Sequence, residues 1–308
     1  GHGIYSITDG ERYDGEWYQD QQHGRGIYYF TNNNRYDGLW YQDFQHGEGT
    51  MYYYNGDIYQ GNWAYDKREG EGTYTWKNGS EYVGAWHEDK KEGKGKLVWN
   101  DGSSYEGEWK GDVRHGTGTF IYANGDKYVG HWVNDIQDGQ GVYFFHAGER
   151  YEGDYVQGER TGEGIYYYAN GDKYVGHFKN GLKDGQGTFT WANGAVYEGD
   201  WKNNMRHGTG IYRWSVGDSY EGEWKDDKFN GQGILKMADG SQYTGGFVDG
   251  LQEGSGVEIS KNGHRYEGFF KQGKKDGPFV ETDEKGTILR RGTYKMGRIS
   301  SIEENAKK

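Results

Sequence analysis

A Tyr-x-Gly triplet returns every 23 residues along this chain: Tyr13, Tyr36, Tyr59, Tyr82, Tyr105, Tyr128, Tyr151, Tyr174, Tyr197, Tyr220, Tyr243 and Tyr266. No insertion or deletion breaks the step. A Gly-x-Gly keeps the same period, from Gly1 and Gly3 through Gly254 and Gly256. A fixed period of this length marks a repeat array, in which each unit buries its apolar face against its neighbours. The 308 residues are therefore read as one elongated array and not as two globular domains.

Within one unit the pattern alternates with period two. In Tyr13-Asp14-Gly15-Glu16-Trp17 the Tyr, Gly and Trp share one face, and Asp14 and Glu16 share the other. In Gly24-Arg25-Gly26-Ile27-Tyr28-Tyr29-Phe30 the glycines, Tyr28 and Phe30 share a face. Such alternation predicts strands in a sheet with unlike faces. The stretch from Tyr18 to His23 reads as a polar loop. Asn55-Gly56, Asn78-Gly79, Asp101-Gly102 and Asn124-Gly125 read as tight hairpin turns, because Asn-Gly and Asp-Gly supply positive φ. The expected fold is all-β: a single-layer antiparallel meander of stacked 23-residue hairpins, forming a rod. At about 4.8 Å per strand, twelve repeats would run about 115 Å.

Composition then explains how such a chain can have a core. Leu, Ile, Val and Phe make up under a fifth of the residues and the formal charge is −12, a combination usual in disordered chains. Here 30 Tyr and 12 Trp supply the apolar area instead. Glycine inside a strand leaves a gap on the sheet that a neighbouring ring can cover. Tyr105, Gly107 and Trp109 are expected to share a face with Gly116, Gly118, Phe120 and Tyr122, leaving Glu106, Glu108, Thr117 and Thr119 to solvent. Exact internal copies, such as Ala123–His131 against Ala169–His177, fit duplication within an array.

The pattern decays at the C-terminus, where Gly277-Pro278-Phe279 loses the second glycine. The domain reading is an array over 1–288, a half repeat followed by twelve repeats beginning at Tyr13, with 289–308 as a degenerate cap and tail. Ser300 to Glu303 resembles a helix capping box and suggests a short terminal helix. The chain opens in mid-repeat, without an initiator Met, which leaves room for a natural segment ahead of it. No signal peptide is visible and no apolar run approaches the roughly 20 residues of a membrane-spanning helix.

Candidate chemical sites resolve into structural roles. There is no Cys, which excludes disulfides and thiolate chemistry. Gly70-Glu71-Gly72 and its copies lack the helix that a phosphate loop requires. His23, His46, His115 and His207 fall one or more repeats apart, too far for shared metal ligation, and read as loop residues. Glu106, Glu152, Glu198 and Glu221 form rows on the polar face and not acid–base pairs in a cleft. Lys90, Lys91, Lys94 and Lys96 are the best basic patch, diluted by Glu88, Asp89 and Glu92. No catalytic, cofactor or metal site is expected. The acidic balance disfavours nucleic acid and anionic membranes as partners.

The unit Tyr105–Lys127 resembles the MORN repeat (membrane occupation and recognition nexus), with Tyr-x-Gly-x-Trp, then Gly-x-Gly, then Asn/Asp-Gly. The aromatic after Tyr-x-Gly departs from Trp at Tyr155, Phe178, Phe247 and Phe270. The resemblance implies stacked hairpins whose Tyr/Trp face forms a long groove, and it implies a scaffold or tether role. His264–Phe270 is similar to the last repeats of radial-spoke-head members, which implies a non-enzymatic component of a ciliary or other cytoskeletal assembly. A membrane-associated phosphoinositide tether is the alternative. Partners are expected to be proteins docking along the aromatic groove, at Tyr82, Trp86, Tyr105, Trp109, Tyr128, Trp132, Tyr151 and Tyr174. The surface also leaves room for a homodimer.

Overall fold

The computed structural model describes residues 1–7 and 9–303. It divides into two units, Gly1–Gly158 and Glu159–Lys308. Among the described residues there is no helix, so none long and apolar enough to cross a membrane.

The first unit is a meander of fourteen strands, from His2–Ser6 to Arg150–Val156, each antiparallel to the strand that follows it. The second runs from Glu159–Tyr167 to Arg298–Glu303 in the same manner. Its regularity breaks only near the end, where Arg265–Lys271 pairs with both the two-residue strand Lys274–Lys275 and Gly277–Thr282. Neither unit has a second layer, as the alternation predicts.

Register explains why the glycines recur. Gly107 lies opposite Gly95 on one side and Gly118 on the other, so glycines form a line straight across the sheet. Tyr105 lays its ring along this line. A Cβ on Gly118 would overlap the Tyr105 hydroxyl, and one on Gly107 would come within 2.7 Å of it. The hydroxyl donates to the Glu108 carbonyl at 2.9 Å, just where the register slips between Gly107 and Trp109. Burial pushes this phenol well above its ordinary pKa, so it remains a donor. Trp109 completes the unit. Its Nε1 donates back to the Gly95 carbonyl at 3.0 Å, and its ring meets Tyr105 and Tyr82 edge-on at 5.1 and 5.5 Å. The same arrangement recurs in the second unit, for example at Tyr197, Trp201 and Tyr174.

The turns differ from the expectation in a consistent way. The tight two-residue turns fall in the stretches read as polar loops: Gln19 and Asp20 have φ of 49° and 63°, and Gln42 and Asp43 have 47° and 70°. Two positive φ values in succession match the twist of the flanking strands. Asp in the second place tolerates that conformation, and it also accepts from the previous hairpin, as Asp43 does from the Gln22 N–H at 2.7 Å. The Asn-Gly and Asp-Gly pairs read as hairpin turns sit in wider loops. Tyr53 N–H closes onto the Asp57 carbonyl, Gly56 alone takes positive φ (95°), and the Asn55 side chain accepts from Asp57 N–H at 3.0 Å. In the Phe30–Asn34 loop Asn33 takes the glycine's place, at φ 68°.

The C-terminal expectation is also corrected. Ser300 to Glu303 lies in the strand Arg298–Glu303, paired with Arg291–Thr293, and not in a helix. An adjacent strand edge offers this segment backbone partners at once, whereas a helix this short is weak on its own. The strand Ile288–Lys295 spans the proposed 288/289 boundary. Residues 304–308 of the proposed tail lie outside the described residues.

Replacing Gly95 by Ala drives a methyl group into the Tyr82 ring. The expected cost is about 1–3 kcal/mol, as for other overpacked sites. Urea unfolding of Gly95→Ala beside wild type measures it, and an unchanged midpoint would show that the ring does not depend on the glycine.

Candidate protein-interaction site

The eight residues expected to line the groove are in the core. Tyr82, Tyr105, Tyr128, Tyr151 and Tyr174 are 0% exposed, and Trp86, Trp109 and Trp132 are 3–5% exposed. Burial leaves a partner almost nothing to touch on them. The expectation treated one face of a single-layer sheet as open, but that face is covered by its own side chains. Arg68 lies over Trp86 with Cζ 4.6 Å from the ring, Lys91 Nζ is 5.2 Å from Trp109, and Arg114 Cζ is 4.8 Å from Trp132. Each cation is held by the Asp of the next tight turn: Arg68 by Asp89 at 3.1 Å, Lys91 by Asp112 at 3.5 Å, Arg114 by Asp135 at 3.0 Å. Cation–π attraction and a paired carboxylate together keep the indoles from solvent.

What remains accessible on this face is a second set of rings, from the Gly-x-Gly strands and the loops after them. In the first unit Tyr74 packs on Trp76 at 4.6 Å, Trp99 on Phe120 at 5.4 Å, and Phe120 on Tyr122 at 4.5 Å. All five are half-buried. Leu97 stands where neighbouring repeats have a ring, and a cavity of about 190 Å³ opens there between Trp76 and Trp99. The second unit carries its own track through Phe189, Trp191, Tyr212 and Trp214. The signal for these residues is in the sequence. Phe120 and Tyr122 share the face of Tyr105 by simple alternation, but burial alone separates the core row from the accessible row.

The carboxylates that hold this second set are more consequential than the exposed rows. Tyr143 Oη donates to Asp126 Oδ2 at 2.8 Å, while Oδ1 accepts from the His146 backbone N–H at 2.8 Å and lies 2.9 Å from its Nδ1. Asp57 holds Tyr74 and the Lys77 N–H in the same way, at 2.7 and 2.9 Å. The backbone N–H of His146, above all, brings the Asp126 carboxyl down to about 2, against the desolvation that opposes it.

The histidines are not loop residues. His23, His46, His115 and His207 lie in strands, because the tight turn ends two residues or more before them. For His46 the position has a structural use. His46 Nδ1 accepts from the Tyr65 N–H at 3.3 Å, in the place where Glu69 accepts from Glu88 N–H at 2.9 Å and Glu92 from Gly111 N–H at 2.7 Å. Among the described residues, no group of three or more His, Asp or Glu is placed to hold a metal ion. The lysine cluster does not form one patch, since Lys91 is tucked over Trp109 while Lys96 faces Glu106 at 4.0 Å. The opposite face is less polar than expected. Val83, Ile121 and Val129 are exposed there among Glu106, Glu152 and their ion-pair partners, Glu152 to Arg150 at 3.0 Å.

Because Asp126 is held below its ordinary 3.8, its contribution to stability is present above about pH 4 and is lost as pH falls toward about 2. Asp126→Asn removes that contribution. The expected loss is on the order of 2 kcal/mol at neutral pH, and the gap from wild type should close in acid. Denaturation at several pH values checks this; a gap constant with pH contradicts it.

No curated protein matches the chain. Among solved structures, the SAS-4 (dCPAP) TCP domain of Drosophila melanogaster, in complex with a proline-rich motif of Ana2 (dSTIL), is 18% identical, covering 51% of this chain and 85% of that one, with a TM-score of 0.32. The TCP10 domain of Danio rerio CPAP is 9% identical over 87% of this chain and 99% of that one, TM-score 0.21. Virginiamycin B lyase from Staphylococcus aureus is 9% identical over 94% and 98%, TM-score 0.15. Scores this low describe shared strand content and carry no argument about function. The MORN repeat model matches twelve times in succession, at 13–35, 36–58, 59–81, 82–104, 105–127, 128–150, 151–173, 174–196, 197–219, 220–242, 243–265 and 266–287. With its hairpins in register with those matches over nearly its whole length, this chain belongs to the MORN-repeat family.

Proposed function

We propose that the chain is a non-catalytic scaffold that holds extended or helical segments of partner proteins against the half-exposed ring tracks of its units. The observation that carries this reading is the division of the ring face into a sealed core row and an accessible row. The fold needs only the first. Rings such as Trp99 and Tyr122 remain part-exposed although burying them would be favourable, and rings of this kind give contact area at small ordering cost. The axonemal or cytoskeletal setting belongs to this proposal as well. It is supported by the similarity of His264–Phe270 to radial-spoke-head repeats, and tagging the protein in its native cell tests it.

A photo-crosslinking residue placed at Trp99 tests the surface, with Val129 on the opposite face as the comparison. Adducts to a defined set of proteins are expected from position 99 and not from position 129. The reverse pattern would sink the reading. The phosphoinositide tether makes a contrary prediction. With a net charge of −12, and with Lys91 and Lys96 of its lysine cluster paired to Asp112 and Glu106, the protein is expected to bind anionic vesicles weakly or not at all at physiological salt. Saturable binding to phosphoinositide vesicles under those conditions would replace the scaffold reading with the tether.

A further inference from the structure

We propose that the tight-turn edge of the first hairpins is a docking surface for a basic, extended segment of a partner protein, with arginine or lysine recurring at every third residue. This surface is separate from the ring tracks. Tyr18, Tyr41 and Tyr65 stand on it with 60%, 39% and 55% of their surface exposed. His23 and His46 lie between them, and the five rings follow one another at 5.5, 5.5, 5.5 and 4.8 Å. His46 supports the Tyr65 backbone, but the hairpin does not require the three tyrosine rings. None of these tyrosines covers the paired glycines: Tyr18 and Tyr41 end their strands, Tyr65 is the first turn residue after Ala64, and the later strands end in His87, Lys110 and Val133.

Charge complementarity selects the occupant. The turns beneath the ladder contribute Asp20, Asp43 and Asp66, while the stretches 18–23 and 41–46 contain no Lys or Arg. The first cation on this edge is Lys67, which closes the third turn opposite Ala64 and marks the limit of the patch. Asp43 and Asp66 are fixed by accepting from the Gln22 and Gln45 N–H groups at 2.7 and 2.8 Å, so their charge is held in place. Exposed tyrosine faces and fixed carboxylates attract the same ligand, a guanidinium or ammonium group. Spacing selects its form. The ladder repeats every two strands, about 9.6 Å, and one three-residue turn of an extended polyproline-II segment rises about 9.3 Å with every third side chain on one face. One cation per repeat can therefore reach each tyrosine without distortion.

Fluorescence anisotropy with a labelled peptide bearing arginine at every third position tests this on the whole chain. Saturable binding is expected, and the matched peptide with glutamate in place of arginine should not bind. Tyr18→Ala with Tyr41→Ala should weaken binding about tenfold, the loss of two ring contacts. Tyr18→Phe with Tyr41→Phe keeps both ring faces and should stay within about twofold of wild type. Should the alanine pair alter melting, Asp20→Asn gives an independent reading: a loss of about two- to threefold and a shallower salt dependence. Equal binding by the alanine pair, equal binding of the glutamate peptide, or no saturable binding overturns the proposal. So does a self-associated form in sedimentation that the alanine pair dissociates while the peptide fails to bind, since the ladder would then serve a second copy of the chain.

Discussion

The tyrosine laid over a pair of opposed glycines is the interaction on which the rest depends. A one-layer sheet has no facing layer to pack against, so it must build a core from side chains lying flat on its own surface. A ring can lie flat only where nothing projects beneath it. Gly107 and Gly118 face each other across the strands with no Cβ between them, and the Tyr105 ring takes the vacant space. The hydroxyl then finds the carbonyl exposed by the register slip beside it, so a buried polar atom is satisfied at the same stroke.

Once that ring is fixed, its neighbours follow. Trp109 stands edge-on against the tyrosines of its own repeat and the one before, and its indole N–H bonds the Gly95 carbonyl fourteen residues back. Lys91 closes over it and is held in turn by Asp112. Each repeat therefore completes the burial of its neighbour, which is why the array tolerates no slip in its 23-residue step. It is also why the most regular aromatics are the poorest candidates for binding. Their regularity reports that they are needed in every repeat for packing, while the row of Trp76 and Trp99 changes among Phe, Tyr and Trp and ends in Met237 and Ser260, and the Tyr18–Tyr65 ladder is confined to the first repeats.

Two features moved between sequence and structure because one residue type serves two geometries. Asn-Gly and Asp-Gly mark positive φ, and the structure does put a positive φ there, yet in a five-residue loop with a single left-handed residue. Many of the tight turns carry Asp in the second place, as Gln42-Asp43 and Glu88-Asp89 do, where the Asp also bonds the preceding hairpin, while others such as Asn180-Gly181 and Asp249-Gly250 carry Gly. That second bond spans 21 residues and cannot be read from local propensity. The histidines fall in strands for the same reason, the turn being shorter than expected, and from there His46 accepts from the next turn's backbone.

The sequence by itself determined the repeat, its length, the two strands per repeat, the sharing of a face by Tyr, Gly and Trp, and the family. All of these follow from period and alternation, which are properties of the chain read in one dimension. Only the tertiary structure decided which rings are sealed and which are open. Tyr105 and Tyr122 share a face by alternation, yet one is wholly buried and the other is not. The difference arises because depth over a sheet depends on what neighbouring strands place above each ring. Tyr105 has glycines beneath it and indoles and cations around it, while Tyr122 lies between Phe120 and Tyr143 with the Gln137 amide on its hydroxyl, and stays part-exposed.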